Sequence, residues 1–147
     1  YRDITEAMIP AVSEGDATIR VISGSYKCTP GAMEGDYVRP NYLDVLLGRG
    51  CEWKTATSAG NTAFAYIIEG SAEFGPEESE SIGAKHAVLL GDGDEVRVKA
   101  GPNGARMLFL EAAPLKEPIA WGGPIVMNTK DELRQAFKDL DEGKFIR

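Results

Sequence analysis

The sequence predicts an all-β domain, a sandwich or a barrel, closed by one C-terminal α-helix. Three observations carry this prediction. Residues 94–100 alternate, with Val96, Val98 and Ala100 on one face and Glu95, Arg97 and Lys99 on the other, the period of a half-buried strand. Short apolar runs are separated by Gly48-Arg49-Gly50, Glu69-Gly70, Gly91-Asp92-Gly93-Asp94 and Gly101-Pro102-Asn103-Gly104. Glycine and asparagine there tolerate positive φ, proline presets a turn, and many short strands with such punctuation build sandwiches or barrels. Near the end, the period changes from two to that of a helix.

Taken in chain order, residues 17–22 place Ala17, Ile19 and Val21 on one face, and residues 42–47 place Leu43, Val45 and Leu47 on one face against Tyr42, Asp44 and Leu46. Residues 63–68, 87–90 and 105–110 are apolar on both faces, as strands are that lie between layers or beneath another chain. The acidic stretch 75–85 reads as an exposed hairpin loop. Residues 114–128 are apolar at Leu115, Ile119, Trp121, Ile125, Val126 and Met127, yet Pro114, Pro118, Pro124 and Gly122-Gly123 exclude a regular helix or a central strand. This segment is expected to be irregular and to lie on something. Thr129 with Glu132 forms a capping box, Leu133, Ala136, Phe137 and Leu140 recur on one helical face, and Gly143 ends the helix.

Composition narrows the class. A chain of 147 residues fits one domain spanning 1–147, and at this length folding buries roughly 70% of the unfolded chain's surface, enough for one core. Hydrophobic residues are 43% and charged residues 27%, ordinary for a globular protein. The net charge of −7 disfavours nucleic acid and anionic membranes as partners. No apolar run approaches the ~20 residues of a membrane span. The opening Tyr1-Arg2-Asp3-Ile4 has neither an initiator methionine nor the pattern of a secretory signal, which points to a processed chain or a piece of a longer one. Cys28 and Cys51 lack metal or redox spacing and read as reduced thiols of a cytoplasmic protein.

Isolated chemical groups give little. Asp92, Asp94 and Glu95 sit in a turn too short to supply the 6–8 oxygens that calcium takes. His86 is the sole histidine, and neither a nucleophile elbow nor a phosphate loop is present; Ser81 lies in the polar loop. Glu69 reads as a turn residue beside Gly70, and Trp53 and Trp121 as core or interface anchors.

Several motifs nevertheless form one pattern. Tyr66-Ile67-Ile68-Glu69-Gly70, with a strand ending at Phe74-Gly75, looks like the centre of a cupin barrel, where a strand turns at Glu-Gly and returns. Leu89 to Val96, Gly104 to Leu110, Pro114 to Pro124, and Val126-Met127-Asn128-Thr129 running into Arg134-Gln135-Ala136-Phe137 are similar to the C-terminal domain of the pirin family. Tyr1-Arg2-Asp3-Ile4 resembles the join between that family's halves. The resemblance implies an all-β, cupin-type double-stranded β-helix (a jelly-roll barrel) with one C-terminal α-helix. It also implies an N-terminal cupin half outside this chain that binds iron or another divalent metal through two histidines one residue apart, a third histidine and a glutamate.

Aligned on Tyr66 to Gly70, the paired-histidine positions fall on Ala56 and Ser58, and the position four after that falls on Thr62. Methyl and hydroxyl groups do not hold a divalent metal. The expectation is therefore no catalytic, cofactor-binding or metal-binding residue in this chain, and a metal-free, non-catalytic domain that covers and stabilises the N-terminal half. Two rivals remain: a share in a quercetinase-like (flavonol 2,3-dioxygenase) enzyme in the intact protein, or a barrel whose mouth takes a small apolar ligand. The expected partners are the N-terminal cupin half and, through the apolar 114–128 segment and the helix, a second copy.

Overall fold

The computed structural model describes residues 3–76 and 79–146. Tyr1 and Arg2, in the stretch that resembles the join, and Glu77 and Glu78, in the predicted acidic loop, lie outside the described residues. The chain divides into two compact units, residues 1–114 and 115–147.

The first unit is a barrel of short antiparallel strands. In order they are β1 (Ala11–Glu14), β2 (Ala17–Ser23), β3 (Ser25–Tyr26), β4 (Thr29–Pro30), β5 (Asn41–Leu47), β6 (Glu52–Ala56), β7 (Thr62–Phe74), β8 (Ile82–Gly83), β9 (Ala87–Leu89) and β10 (Glu95–Ala112). The main ladder runs β1-β2-β5-β10-β7-β8, with β6 on β10 and β9 on β7, while β3 and β4 form a small separate hairpin. The predicted alternation holds: Ile19 and Val21 of β2 and Leu43 and Val45 of β5 are fully buried, and Val96, Val98 and Ala100 of β10 are buried. Strand β6 is too short for its alternation, Trp53 inward and Lys54 outward, to stand out in the sequence.

Two predicted turns are not turns. Glu69-Gly70 and Gly101-Pro102-Asn103-Gly104 lie inside β7 and β10, which run on as strands of 13 and 18 residues. The first half of β10 pairs with β6 and the far half of β7; its second half pairs with β5 and the near half of β7. The ladder slips between Ala100 and Ala105, a bulge that bends both strands together. Gly70 and Gly104, at φ of +73° and +78°, make the bend possible. A Cβ on Gly70 would lie 2.0 Å from the Gly104 carbonyl oxygen. Gly70→Ala therefore combines left-handed strain with a backbone collision, and is expected to cost about 2–5 kcal/mol. Gly15→Ala, at φ +57° with nothing near its Cβ, carries the strain alone and should lose about 1–2 kcal/mol. Urea denaturation of both variants checks the difference; equal losses would show that the close approach at the bend is unimportant.

The segments apolar on both faces have a partly unpaired outer side. Phe64 of β7 pairs across to Leu110 of β10 and Leu89 of β9, forming an apolar stripe on the outside of the sheet. Leu89 is 75% exposed.

In the second unit, residues 115–119 are irregular as predicted, but the rest of that segment is a hairpin. β11 (Ala120–Gly122) and β12 (Ile125–Met127) form a hairpin turning at Gly123-Pro124, with Gly123 at φ +53°. A two-stranded ribbon has no central strand, so the neighbouring prolines take no ladder position. The helix α1 (Lys130–Asp141) packs on this hairpin: a Cβ on Gly122 would come within 3.2 Å of Leu133 and 3.1 Å of Phe137. The capping box is formed as predicted, with the Glu132 N–H donating to Thr129 Oγ1 at 3.2 Å and the Thr129 N–H donating to Glu132 Oε2 at 2.8 Å. Beyond the helix, Gly143 adopts φ +67° and its N–H donates to the Leu140 carbonyl.

Candidate functional site

The barrel interior is filled. Trp53 packs edge-on against Phe109 at 5.7 Å between ring centroids and lies 6.4 Å from Tyr26. Its Nε1–H donates to the Tyr26 hydroxyl at 3.1 Å, which donates in turn to Glu14 Oε2 at 3.1 Å. Burial, reinforced by Glu14, pushes the Tyr26 phenol above its ordinary value and keeps its proton in this chain of bonds. Such packing places aromatic side chains at the centre of the barrel. Trp53 is a core residue, whereas Trp121 is 76% exposed.

The positions that would carry metal ligands stand near one end of the barrel. Ala56 closes β6 opposite Glu95, Thr62 opens β7 opposite Ala112, and Ser58 lies in the loop between them; all three are exposed. None offers an imidazole or carboxylate, and among the described residues no group of three or more His, Cys, Asp or Glu converges. The donor set does not fit a cupin metal.

The other sequence candidates disperse. His86 is exposed, with Nδ1 at 3.1 Å from the carbonyl oxygens of Gly83 and Ala84. Asp92 Oδ1 accepts from the Gly60 N–H at 2.8 Å, tying the turn to the loop before β7. Glu69 sits at the bulge opposite Arg106. Cys28 is exposed and Cys51 half-buried, both as free thiols, and burial raises the Cys51 pKa.

Sequence reading missed a polar cluster at this same end. Glu111, inward on β10 and 7% exposed, accepts on Oε1 from the Ser58 N–H at 2.8 Å and the Asn61 Nδ2 at 2.9 Å. Asn41 lies directly opposite it on β5, and Ser23 ends the inward face of β2. Together with the loop around Gly31, Met33 and Arg39 they line an open cavity of about 600 Å³. The signal was present in the sequence: Glu111 continues the inward period of Met107 and Phe109, and Asn41 that of Leu43 and Val45.

With the geometry in view, the likeness to known proteins is close. The family model of the pirin C-terminal cupin domain matches residues 42–146. A pirin-like protein of Caulobacter vibrioides is 35% identical over 147 residues, covering 99% of this chain and 52% of the relative. Pirin of Homo sapiens is 33% identical over 148 residues, covering 98% and 50%. The crystal structure of quercetin 2,3-dioxygenase from Acinetobacter baumannii superposes with a TM-score of 0.86 at 31% identity, covering 97% of this chain and 49% of the other. The chain thus spans about half the length of the relatives it matches. The all-β cupin fold with one C-terminal helix is as the sequence predicted, and the chain belongs to the pirin family, where it corresponds to the C-terminal cupin domain.

Proposed function

We propose that residues 1–147 act as a single, metal-free, non-catalytic cupin domain that covers and stabilises a metal-binding N-terminal cupin half of the same protein. The observation that carries this reading is the side chains Ala56, Ser58 and Thr62 at the ligand positions of a cupin mouth, in a chain half as long as its relatives. The exposed apolar residues supply the covering surface. The outer stripe of Phe64 and Leu89 and the hairpin side chains Trp121 and Val126 form apolar faces of the kind that mark an interaction site. On this reading the iron or other divalent metal belongs to the N-terminal half, and both thiols stay reduced in the cytoplasm.

The test compares the N-terminal half alone with the same half mixed with this chain. The expected result is a raised melting temperature and better metal retention on mixing. Trp121→Ala should weaken the association by about 30-fold, as loss of a large interface anchor does. An N-terminal half that is equally stable and equally metallated alone would overturn the proposal. In isolation, the same apolar surfaces are expected to pair two copies of this chain, and sedimentation as a strict monomer at high concentration would count against it.

A second reading rests on the likeness to the Acinetobacter baumannii quercetin 2,3-dioxygenase. In it the intact protein is a flavonol dioxygenase and this domain supplies only pocket wall. The two differ in whether the reconstituted protein turns over quercetin.

A further inference from the structure

Residues 57–61 join β6 to β7 at one end of the barrel without burying a side chain: Thr57 and Asn61 are half-buried, and Ser58, Ala59 and Gly60 are exposed. What holds the segment is polar and comes from elsewhere in the chain. The Thr57 N–H and Oγ1–H donate to the carbonyl oxygens of Asp94 at 2.8 Å and Gly93 at 3.1 Å. The Ser58 N–H and the Asn61 side-chain amide converge on Oε1 of Glu111, and the Gly60 N–H donates to Oδ1 of Asp92. Bonds to a charged acceptor are the stronger ones, so the two carboxylates do most of the fastening. The flanks are held differently. Ala56 and Thr62 are ladder residues opposite Glu95 and Ala112, and Trp53 and Ala63 beyond them are buried in the core.

A segment with no buried side chain, fastened by exposed or half-buried hydrogen bonds, opens at far lower cost than the strands around it. Opening here breaks no ladder pair and takes no side chain out of the core. The segment is also a wall. Ser58, Asn61 and Glu111 line the open cavity of about 600 Å³. Thr57, Asn61, Ala63 and Val96 line a second of about 180 Å³, so Asn61 borders both. We infer that residues 57–61 are a lid at the barrel end, latched by Glu111 and Asp92, which opens as one unit while the barrel stays folded. Glu111 is thereby a positioning residue. Inward on β10 and 7% exposed, it holds the backbone of Ser58, one of the positions aligned with the paired histidines. The lid lies within residues 1–114 and is independent of the proposed covering role.

The test is native-state amide hydrogen exchange of the full chain, read at Ser58 and Gly60 in the lid and at Met107 and Phe109 in the buried part of β10. In the wild type the two lid amides are expected to be protected, yet to exchange faster than those of β10. Low concentrations of urea should leave their rates unchanged, because local opening exposes little surface. Asp92→Ala touches the Gly60 bond alone, at an exposed residue, and should speed exchange at Gly60 and Ser58 together by about tenfold. Glu111→Gln, which removes the charge and keeps the shape, should do the same; if it fails to fold, Asp92→Ala decides. Gly15→Ala, which weakens the barrel at the turn between β1 and β2, should speed exchange in β10 and leave the lid amides unaltered. Lid amides that exchange no faster than β10, or that speed up with it in Gly15→Ala, would show that the segment opens only when the barrel unfolds and would overturn the lid. Unprotected exchange at Ser58 in the wild type would overturn the latch, as would Asp92→Ala speeding Gly60 alone or neither amide.

Discussion

Trp53→Ala is expected to destabilise the barrel by about 3–5 kcal/mol, the range for removing a large aromatic side chain from a core. Trp53 is 3% exposed and reaches the centre of the barrel from β6, a strand of five residues held on β10. Its indole fills the space between Tyr26 and Phe109, and its Nε1–H bonds the Tyr26 hydroxyl. Alanine would leave a cavity beside an apolar ring and remove the donor from a buried phenol oxygen, so the packing and polar losses act together. Trp53→Phe separates them: it keeps an aromatic ring, loses the N–H and some volume, and should cost about 1–3 kcal/mol. Urea denaturation of the wild type and both variants reads the two steps. A midpoint unmoved in Trp53→Ala would mean that the ring cluster does not hold the barrel closed.

The second large effect concerns chemistry. This chain alone is expected to show no turnover of quercetin, even with added iron(II), and to retain far less than one equivalent of iron, nickel, copper or zinc after dialysis. A metal-dependent dioxygenase needs an open coordination position on a metal the protein holds. The mouth residues Ala56, Ser58 and Thr62 provide no ligand, and His86 faces the Gly83 and Ala84 carbonyls on the barrel exterior. Elemental analysis and an oxygen-consumption assay decide the matter. Metal-dependent turnover that survives in His86→Ala would reveal a metal site made of other residues and end the non-catalytic reading.

Much of this protein was legible from short-range pattern. The inward faces of β2, β5 and the first half of β10 follow from period-two alternation, which any half-buried strand must show; the second half of β10, apolar on both faces, gave no inward face by itself. The capping box at Thr129 and Glu132 is local too, because cap and helix are formed by the same few residues.

Tertiary structure decided the rest. Glu69-Gly70 and Gly101 to Gly104 have turn composition, yet they mark a bend in two long strands. Which of the two a glycine makes depends on the strand opposite it, here Gly70 against the Gly104 carbonyl. Residues 120–127 form a hairpin on which α1 packs, with Leu133 and Phe137 over Gly122, a contact between residues more than ten positions apart. The polar residues Ser23, Asn41 and Glu111 that line one cavity are spread over 89 positions of the chain and come near one another only because β2 and β10 both pair with β5. Alternation along one strand says which way a side chain points; only the pairing of strands says what it meets there.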